Sequence, residues 1–451
     1  MKRYEAYKNC NIPWIKQIPS HWMTKRAKFL YKKEQRPVRE EDSVVTCFRD
    51  GVVTLRKNRR TTGFTEAISE FGYQGIRKGD LVIHVMDAFA GAIGVSDSDG
   101  KGTPVYNVCT AYGDSNNYYY AYALREMARA GFIQSLYRGI RERSSDFRFD
   151  VFERQYLPVP PREEQDQIVR YLDWQVSKIN RLIAAKRKQI ALLKEHRTAK
   201  INQAVTTGIH CDTQLAYTGY NWLPYAPANW KPVPAKALFR NITELRRLDD
   251  SMLAATQKYG LIEQTEYMRL EGRRIVLAND NLDKWLHTEP NDFIISLRSF
   301  QGGLEMCSKP GCVTWHYVVL RSQRNIYPDF YKWFFKSAAY IGALQKTSDF
   351  IRDGQDLRFS NFVKVGLFII PMDEQREIAE YLNREIPKYD VAISNLEKQI
   401  DQITELRTRL ISDVVTGQID VRGIKVPDDE YINNEITEEE FEEESENNEE
   451  E

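Results

Sequence analysis

A long internal duplication constrains this chain more than any other feature. Trp14 and Trp22 recur as Trp222 and Trp230 at the same spacing of eight, and the second Trp of each pair follows a Pro-x-x step, at Pro19 and Pro227. Farther on, Pro161-Arg162-Glu163-Glu164-Gln165, followed by Ile168 and Tyr171-Leu172, returns 210 residues later as Pro371-Met372-Asp373-Glu374-Gln375, Ile378 and Tyr381-Leu382. Solenoid repeats have periods of roughly 20 to 50 residues, so a period this long excludes a solenoid. It predicts a pseudo-symmetric molecule with two related sites that need not be identical.

At 451 residues the length alone suggests roughly three domains, and the repeat requires an even number of large ones. No run of 18 apolar residues occurs and the first residues lack a signal-peptide pattern, so a cytoplasmic protein without a membrane partner is expected. Cys10, Cys47, Cys109, Cys211, Cys307 and Cys312 form no C-x-x-C and fit reduced thiols. Cys307 and Cys312 flank a Ser-Lys-Pro-Gly turn, but no second pair lies nearby to complete a metal site, so buried or turn-flanking thiols are expected.

The formal charge of zero hides an asymmetry. Residues 428–451 hold fourteen Asp and Glu and no Lys or Arg, which leaves 64 basic against 50 acidic residues in the body, a net of +14. A tail of that composition cannot bury enough surface to offset its ordering entropy, so disorder is predicted for it. It is either a solubilising segment or a polyanion mimic that competes for the basic body. The body itself carries the charge footprint of a polyanionic partner.

Each copy opens with about 150 residues of short β-rich segments and turns. In the first, Val44-Val45-Thr46-Cys47-Phe48, the turn Arg49-Asp50-Gly51, and Val52-Val53-Thr54-Leu55 predict a hairpin, followed by strands over 79–85 and 105–108. The second answers with 251–256, 259–262, 291–297 and 315–320. A short aromatic-rich helix is predicted in each, around 119–129 and 329–339. The class is α+β.

A long helix then follows each region, with proline at its start and acidic residues in its first turn. Leu382, Ile386, Tyr389, Ile393, Leu396, Ile400, Ile403, Leu410 and Val414 repeat at heptad spacing. Shifted by 210, the seam reads Leu172, Val176, Ile179, Ile183, Lys186, Ile190, Leu193, Lys200 and Ala204, interrupted by two lysines. Pro387 predicts a kink. Because the second β-rich region joins the end of one helix to the start of the other, the helices must run antiparallel. The expected architecture is two α+β regions at opposite ends of an antiparallel two-helix coiled coil, with boundaries 1–160, 161–209, 210–370, 371–418 and a tail over 419–451. About 30 seam residues give a rod of roughly 45 Å, against about 34 to 36 Å for one turn of B-DNA.

No catalytic set accompanies this scaffold. The chain has no G-x-x-x-x-G-K-[ST] phosphate loop, no paired-histidine metal spacing among its six histidines, and no Asn- or Asp-Pro-Pro-aromatic loop of an amino-methyltransferase. A non-catalytic protein that binds no metal or cofactor of its own is expected.

The basic residues suggest the partner. Arg56, Lys57, Arg59 and Arg60 follow a predicted strand in a loop rich in hydroxyl groups, and Arg138, Arg141 and Arg143 form a second basic loop. Arg and Lys supply phosphate contacts, while Arg, Asn, Gln and Ser read base edges, so both loops suit DNA. The plainer reading is a solvated loop with no partner. The second region is furnished differently, with Lys258, Tyr259, Gln264, Thr265, Arg269, Arg273, Arg274, Arg298 and Arg352, which predicts two different readers on one scaffold.

Taken in order and in duplicate, these elements resemble the specificity subunit of a type I DNA restriction-modification system over residues 1 to about 420. The resemblance rests on the tandem halves, on Pro161, Glu164, Gln165 and Ile168 with Pro371, Glu374, Gln375 and Ile378 at the helix starts, on the helix ends Val205-Thr206-Thr207-Gly208 and Val415-Thr416-Gly417, and on the strand Gly79-Asp80-Leu81-Val82-Ile83 with its counterpart in the second half. It implies that each globular region is a target recognition domain reading one part of a bipartite asymmetric sequence in double-stranded DNA. It further implies two modification subunits, which bring S-adenosylmethionine and methylate adenine, and two restriction subunits that use ATP and Mg. The acidic tail, Lys186 and Lys200 depart from the pattern. Lys186 and Lys200 weaken the seam and could face a partner or DNA. The competing reading is a two-headed protein-interaction scaffold without nucleic acid, against which the basic body and both Arg loops count.

Overall fold

The computed structural model describes residues 2–59, 71–136, 146–256, 259–272, 281–296, 299–347 and 357–427. Residues 428–451, which carry the acidic run, therefore lie outside the described residues, whereas 419–427, assigned above to the tail, are described, with Val421 buried in the core of the first unit and the Val421 and Ile424 carbonyls accepting from Gln167 Nε2. The chain divides into two compact units, Met1–Lys186 with Lys398 onward, and Arg187–Glu397.

The first unit is built around a four-stranded antiparallel sheet in the order Tyr31–Lys33, Tyr106–Ala111, Leu81–His84, Ile93–Val95. Leu81 and Ile83 point into a core shared with the helix Asn117–Arg129, whereas Val82 packs with Val45, Val53 and Val108 under the hairpin Val45–Cys47 and Val53–Leu55. Both faces of the strand are covered, which is why it reads as an unbroken apolar run rather than an alternating one. A further strand pair, Met23–Arg26 with Tyr156–Val159, ties the start of the region to the residues just ahead of the long helix.

The second unit repeats this topology strand for strand. Its sheet runs Phe239–Ile242, Val318–Ser322, Phe293–Ile295, Glu305–Met306. Phe293 and Ile295 face one core and Ile294 the other, beneath the hairpin Leu253–Thr256 and Gly260–Glu263. Lys231–Val233 pairs with Leu367–Ile369. The aromatic helix expected here is two helices, Pro328–Phe334 and Ala338–Gln345. The break falls at Ser337, whose hydroxyl accepts from the Tyr340 N–H and so starts a new helix.

The long helices span Arg162–Thr207 and Met372–Val415. Each ends on a left-handed glycine, Gly208 at φ 78° and Gly417 at φ 74°, a conformation that glycine adopts without steric cost. Within each unit the beginning of one helix lies against the end of the other, and the pairing is antiparallel. In the first unit Arg407 Nη1 donates to Asn180 Oδ1 and Lys186 Nζ to Gln399 Oε1, both at 2.6 Å. In the second, Arg197 Nε meets Asp390 Oδ1 at 2.7 Å and Lys200 Nζ meets the Tyr381 hydroxyl at 3.1 Å. Leu172, Ile183, Ile190, Leu382, Ile386, Ile393 and Leu410 are buried; Ile179, Leu193, Leu396, Ile400 and Ile403 are half-buried. Helical structure continues through Pro387. Proline cannot donate to the Asn383 carbonyl, a cost that the burial of Ile386 and Ile393 on either side offsets. Among the described residues no helix is long and apolar enough to cross a membrane.

Candidate nucleic-acid interface

The repeated helix-start motif fastens each globular region to its long helix. Glu164, buried at 5 % exposure, accepts from the Trp22 indole at 3.0 Å, from His21 Nε2 at 2.8 Å, and from the Tyr4 hydroxyl. Glu374 accepts from the Trp230 indole and from Asn229 Nδ2, both at 2.9 Å. Gln165 Oε1 accepts from the Asn116 N–H at 2.9 Å while its Nε2 donates to the Pro160 carbonyl at 2.9 Å. Gln375 does the same with the Tyr327 N–H and the Ile370 carbonyl, both at 2.8 Å. A second matched pair, buried Asp80 and Asp292, is held by Arg36 and Arg321 and accepts the N–H three residues upstream at 2.8 Å. These repeated groups therefore serve the scaffold, and any difference between the two units lies in the residues that are not repeated.

In the first unit the hairpin turn and its exit are ringed by arginines. Arg56 Nε donates to Thr46 Oγ1 at 3.3 Å, Lys57 is exposed, and Arg59 forms an ion pair with Asp50 at 2.8 Å while covering the Phe48 ring at 5.1 Å. Arg125, on the helix Asn117–Arg129, brings its guanidinium against the Gly51 Cα, so closely that a Cβ there would sit 2.6 Å from Nη1. No ion pair or hydrogen bond holds Arg125 among the described residues, and burial pulls its guanidinium below the ordinary arginine range. Arg407, which also bears on it electrostatically, has an amide partner but no carboxylate among the described residues. A guanidinium left with open donors in a partly desolvated place is ready to donate to an anionic oxygen.

The second unit presents the equivalent hairpin with different chemistry. Gln264 begins the helix Gln264–Glu271 directly after the hairpin; its N–H reaches the Met252 carbonyl at 3.0 Å and its buried Oε1 has no partner among the described residues. Nearby, buried His287 is held between Asp250 and Glu289, each at 2.8 Å. Burial alone would lower its pKa, but the two carboxylates outweigh it and the net shift is upward. Arg60, Arg138, Arg141, Arg143, Lys258, Arg273, Arg274, Arg298 and Arg352 lie outside the described residues. Cys307 and Cys312 are buried free thiols, and no cluster of three metal-ligating side chains occurs among the described residues.

No family model matches the sequence, and no curated protein matches it. Solved structures do. A chain from a structure describing complex assembly and conformational transition of the type I R-M system superposes with a TM-score of 0.59 at 15 % identity, over 89 % of this chain and 99 % of that one. The HsdS subunit from Thermoanaerobacter tengcongensis superposes with a TM-score of 0.50 at 14 % identity, over 89 % of this chain and 98 % of that one. This chain has the HsdS fold.

Within this HsdS fold, the basic run after the first hairpin and Gln264 after the second occupy equivalent places. Sequence reasoning missed Arg125 and Arg407. A signal existed for Arg125, because the position 210 residues on is Phe335, a fully buried ring, so the repeat itself marks the arginine as a departure. No comparable signal marks Arg407, which lies among many charged residues on a long helix.

Proposed function

We propose that this chain is the specificity subunit of a type I restriction-modification complex and reads a bipartite, asymmetric double-stranded DNA target with two unequal recognition regions. One observation carries the reading: a full-length HsdS fold whose two units share scaffold residues but differ at the hairpins. Arg125, Arg56 and Lys57 supply phosphate and base donors in the first unit; Gln264, with both an amide donor and an acceptor, suits an adenine edge in the second. The chain itself contributes no chemistry. S-adenosylmethionine for adenine methylation is brought by two modification subunits, and ATP with Mg by two restriction subunits, in a cytoplasmic assembly acting on DNA.

A footprint tests this. The purified chain with its modification subunit is expected to protect two short DNA segments about one helical turn, roughly 34 to 36 Å, apart. One continuous protected block sinks the two-reader model, and the absence of any footprint favours a protein-interaction scaffold.

A further inference from the structure

The helix pair of the second unit contains a cavity of about 200 Å³ lined by His196, Lys200, Gln203, Ala204, Tyr381 and Tyr389 among others. Lys200 is its chemical centre. The ammonium donates to the Tyr381 hydroxyl at 3.1 Å and lies 5.4 and 5.9 Å from the Tyr381 and Tyr389 ring centroids. It has no carboxylate partner among the described residues. Glu385, the carboxylate that bears on it electrostatically, is already held by Lys388 at 2.8 Å and Arg384 at 3.1 Å. An ammonium has three donors, so at least one remains open toward the cavity.

The first unit shows what this place looks like when it only has to pack. The residues 210 positions away from Lys200, Ala204 and Tyr389 are Leu410, Val414 and Ile179, all apolar, and Leu410 and Val414 are buried. The second unit thus exchanges a leucine for a cation and a valine for an alanine, and so opens a hole beside the cation. The two tyrosines engage the ammonium but leave at least one donor unused beside an open space, at a seam position where the first unit packs a leucine, which points to a ligand rather than to packing alone.

We infer that this cavity is a docking site for one carboxylate side chain, Glu or Asp, of a protein partner, which under the function proposed above is the modification subunit. The size suits a single side chain, the aromatic walls suit its methylene stem, and Lys200 with His196 supplies donors to its oxygens. A phosphate of duplex DNA fits poorly, because it is borne on a stiff backbone between bulky neighbours and meets exposed cations rather than a recess between two helices. The first unit lacks the cation and the hole, so only one of two docked modification subunits uses this contact.

The test uses the full-length chain, its modification subunit, and two variants that copy the first unit, Lys200→Leu and Ala204→Val. Binding is followed by titration and by native mass spectrometry, and folding by thermal unfolding. Both variants are expected to keep or raise Tm while weakening one of two binding events by roughly tenfold or more, so that a complex with two modification subunits becomes predominantly one with a single copy. Unchanged affinity and stoichiometry in Ala204→Val and Lys200→Leu overturn the docking site and leave the proposed function standing. Intact assembly with weakened DNA binding also overturns it, in favour of a phosphate. Failure of the wild-type chain to bind the modification subunit at all removes the proposed function and the docking site together. Should Lys200→Leu unfold, Ala204→Val decides, since it fills the hole without touching the cation.

Discussion

Glu164 and Glu374 stand at equivalent places in the repeat, yet they carry different loads. Glu164 is almost fully buried and satisfies three donors, from Tyr4, His21 and Trp22, whereas Glu374 is half-buried and satisfies two. Burial, reinforced by the bond to Glu164, also drives the Tyr4 phenol well above its usual range, so that hydroxyl stays a donor at any accessible pH. Removing an acceptor strands its donors in a desolvated place, and the cost rises with burial. Glu164→Ala is expected to cost about 2 to 3 kcal/mol and Glu374→Ala about 1 kcal/mol. Hydrogen exchange provides the local readout: protection of the strand pair 23–26 and 156–159 should fall more in the first variant than protection of 231–233 and 367–369 does in the second. Equal losses would mean that the tryptophan bond alone sets the strength of both fastenings. The sequence displayed Glu164 and Trp22 as repeated residues, but not that they touch, since 142 positions separate them.

At the scale of elements, the hairpins, the apolar central strands and the long helices were legible because each rests on local pattern. The strand Leu81–His84 announced burial on both faces through its unbroken apolar run, and Arg49-Asp50-Gly51 announced the turn, with Gly51 at φ 91°. Antiparallel pairing followed from connectivity alone. The use to which the arginines are put was not legible. Arg59 looked available for DNA, but a carboxylate nine residues away in the same turn holds it, while Arg125 comes from a helix distant in sequence. Their roles depend on which acceptors the fold leaves nearby. Arg125→Gln is therefore expected to lower DNA affinity roughly fivefold and reduce the salt slope by about one, with little change in Tm because no hydrogen bond or ion pair among the described residues is lost. Arg59→Ala, by contrast, should lower Tm as well. An unaltered salt slope in Arg125→Gln would show that this guanidinium does not meet a phosphate.

Across the whole molecule, the duplication separates what must be shared from what is free to differ. Glu164 and Glu374 each accept from a tryptophan indole, Gln165 and Gln375 each accept from a backbone N–H, and Asp80 and Asp292 each accept the N–H three residues upstream, so either globular region can change at its hairpin without disturbing its fastening. Exchange of whole regions follows from this. Replacing residues 1–160 with those of another chain of this fold leaves the long helices and the second unit intact, provided that the incoming region supplies an indole for Glu164 and an N–H for Gln165. The chimera is expected to keep the recognition of one half of the DNA target and the separation between halves, while adopting a new sequence in the other half. Methylome sequencing of a host expressing the chimera with the modification subunit reads all three quantities at once. A change in both half-sites would refute independent readers, because the second unit would be unaltered in sequence yet altered in specificity. A changed separation with one half-site preserved would instead place the spacing in residues 1–160 rather than in the helix pair.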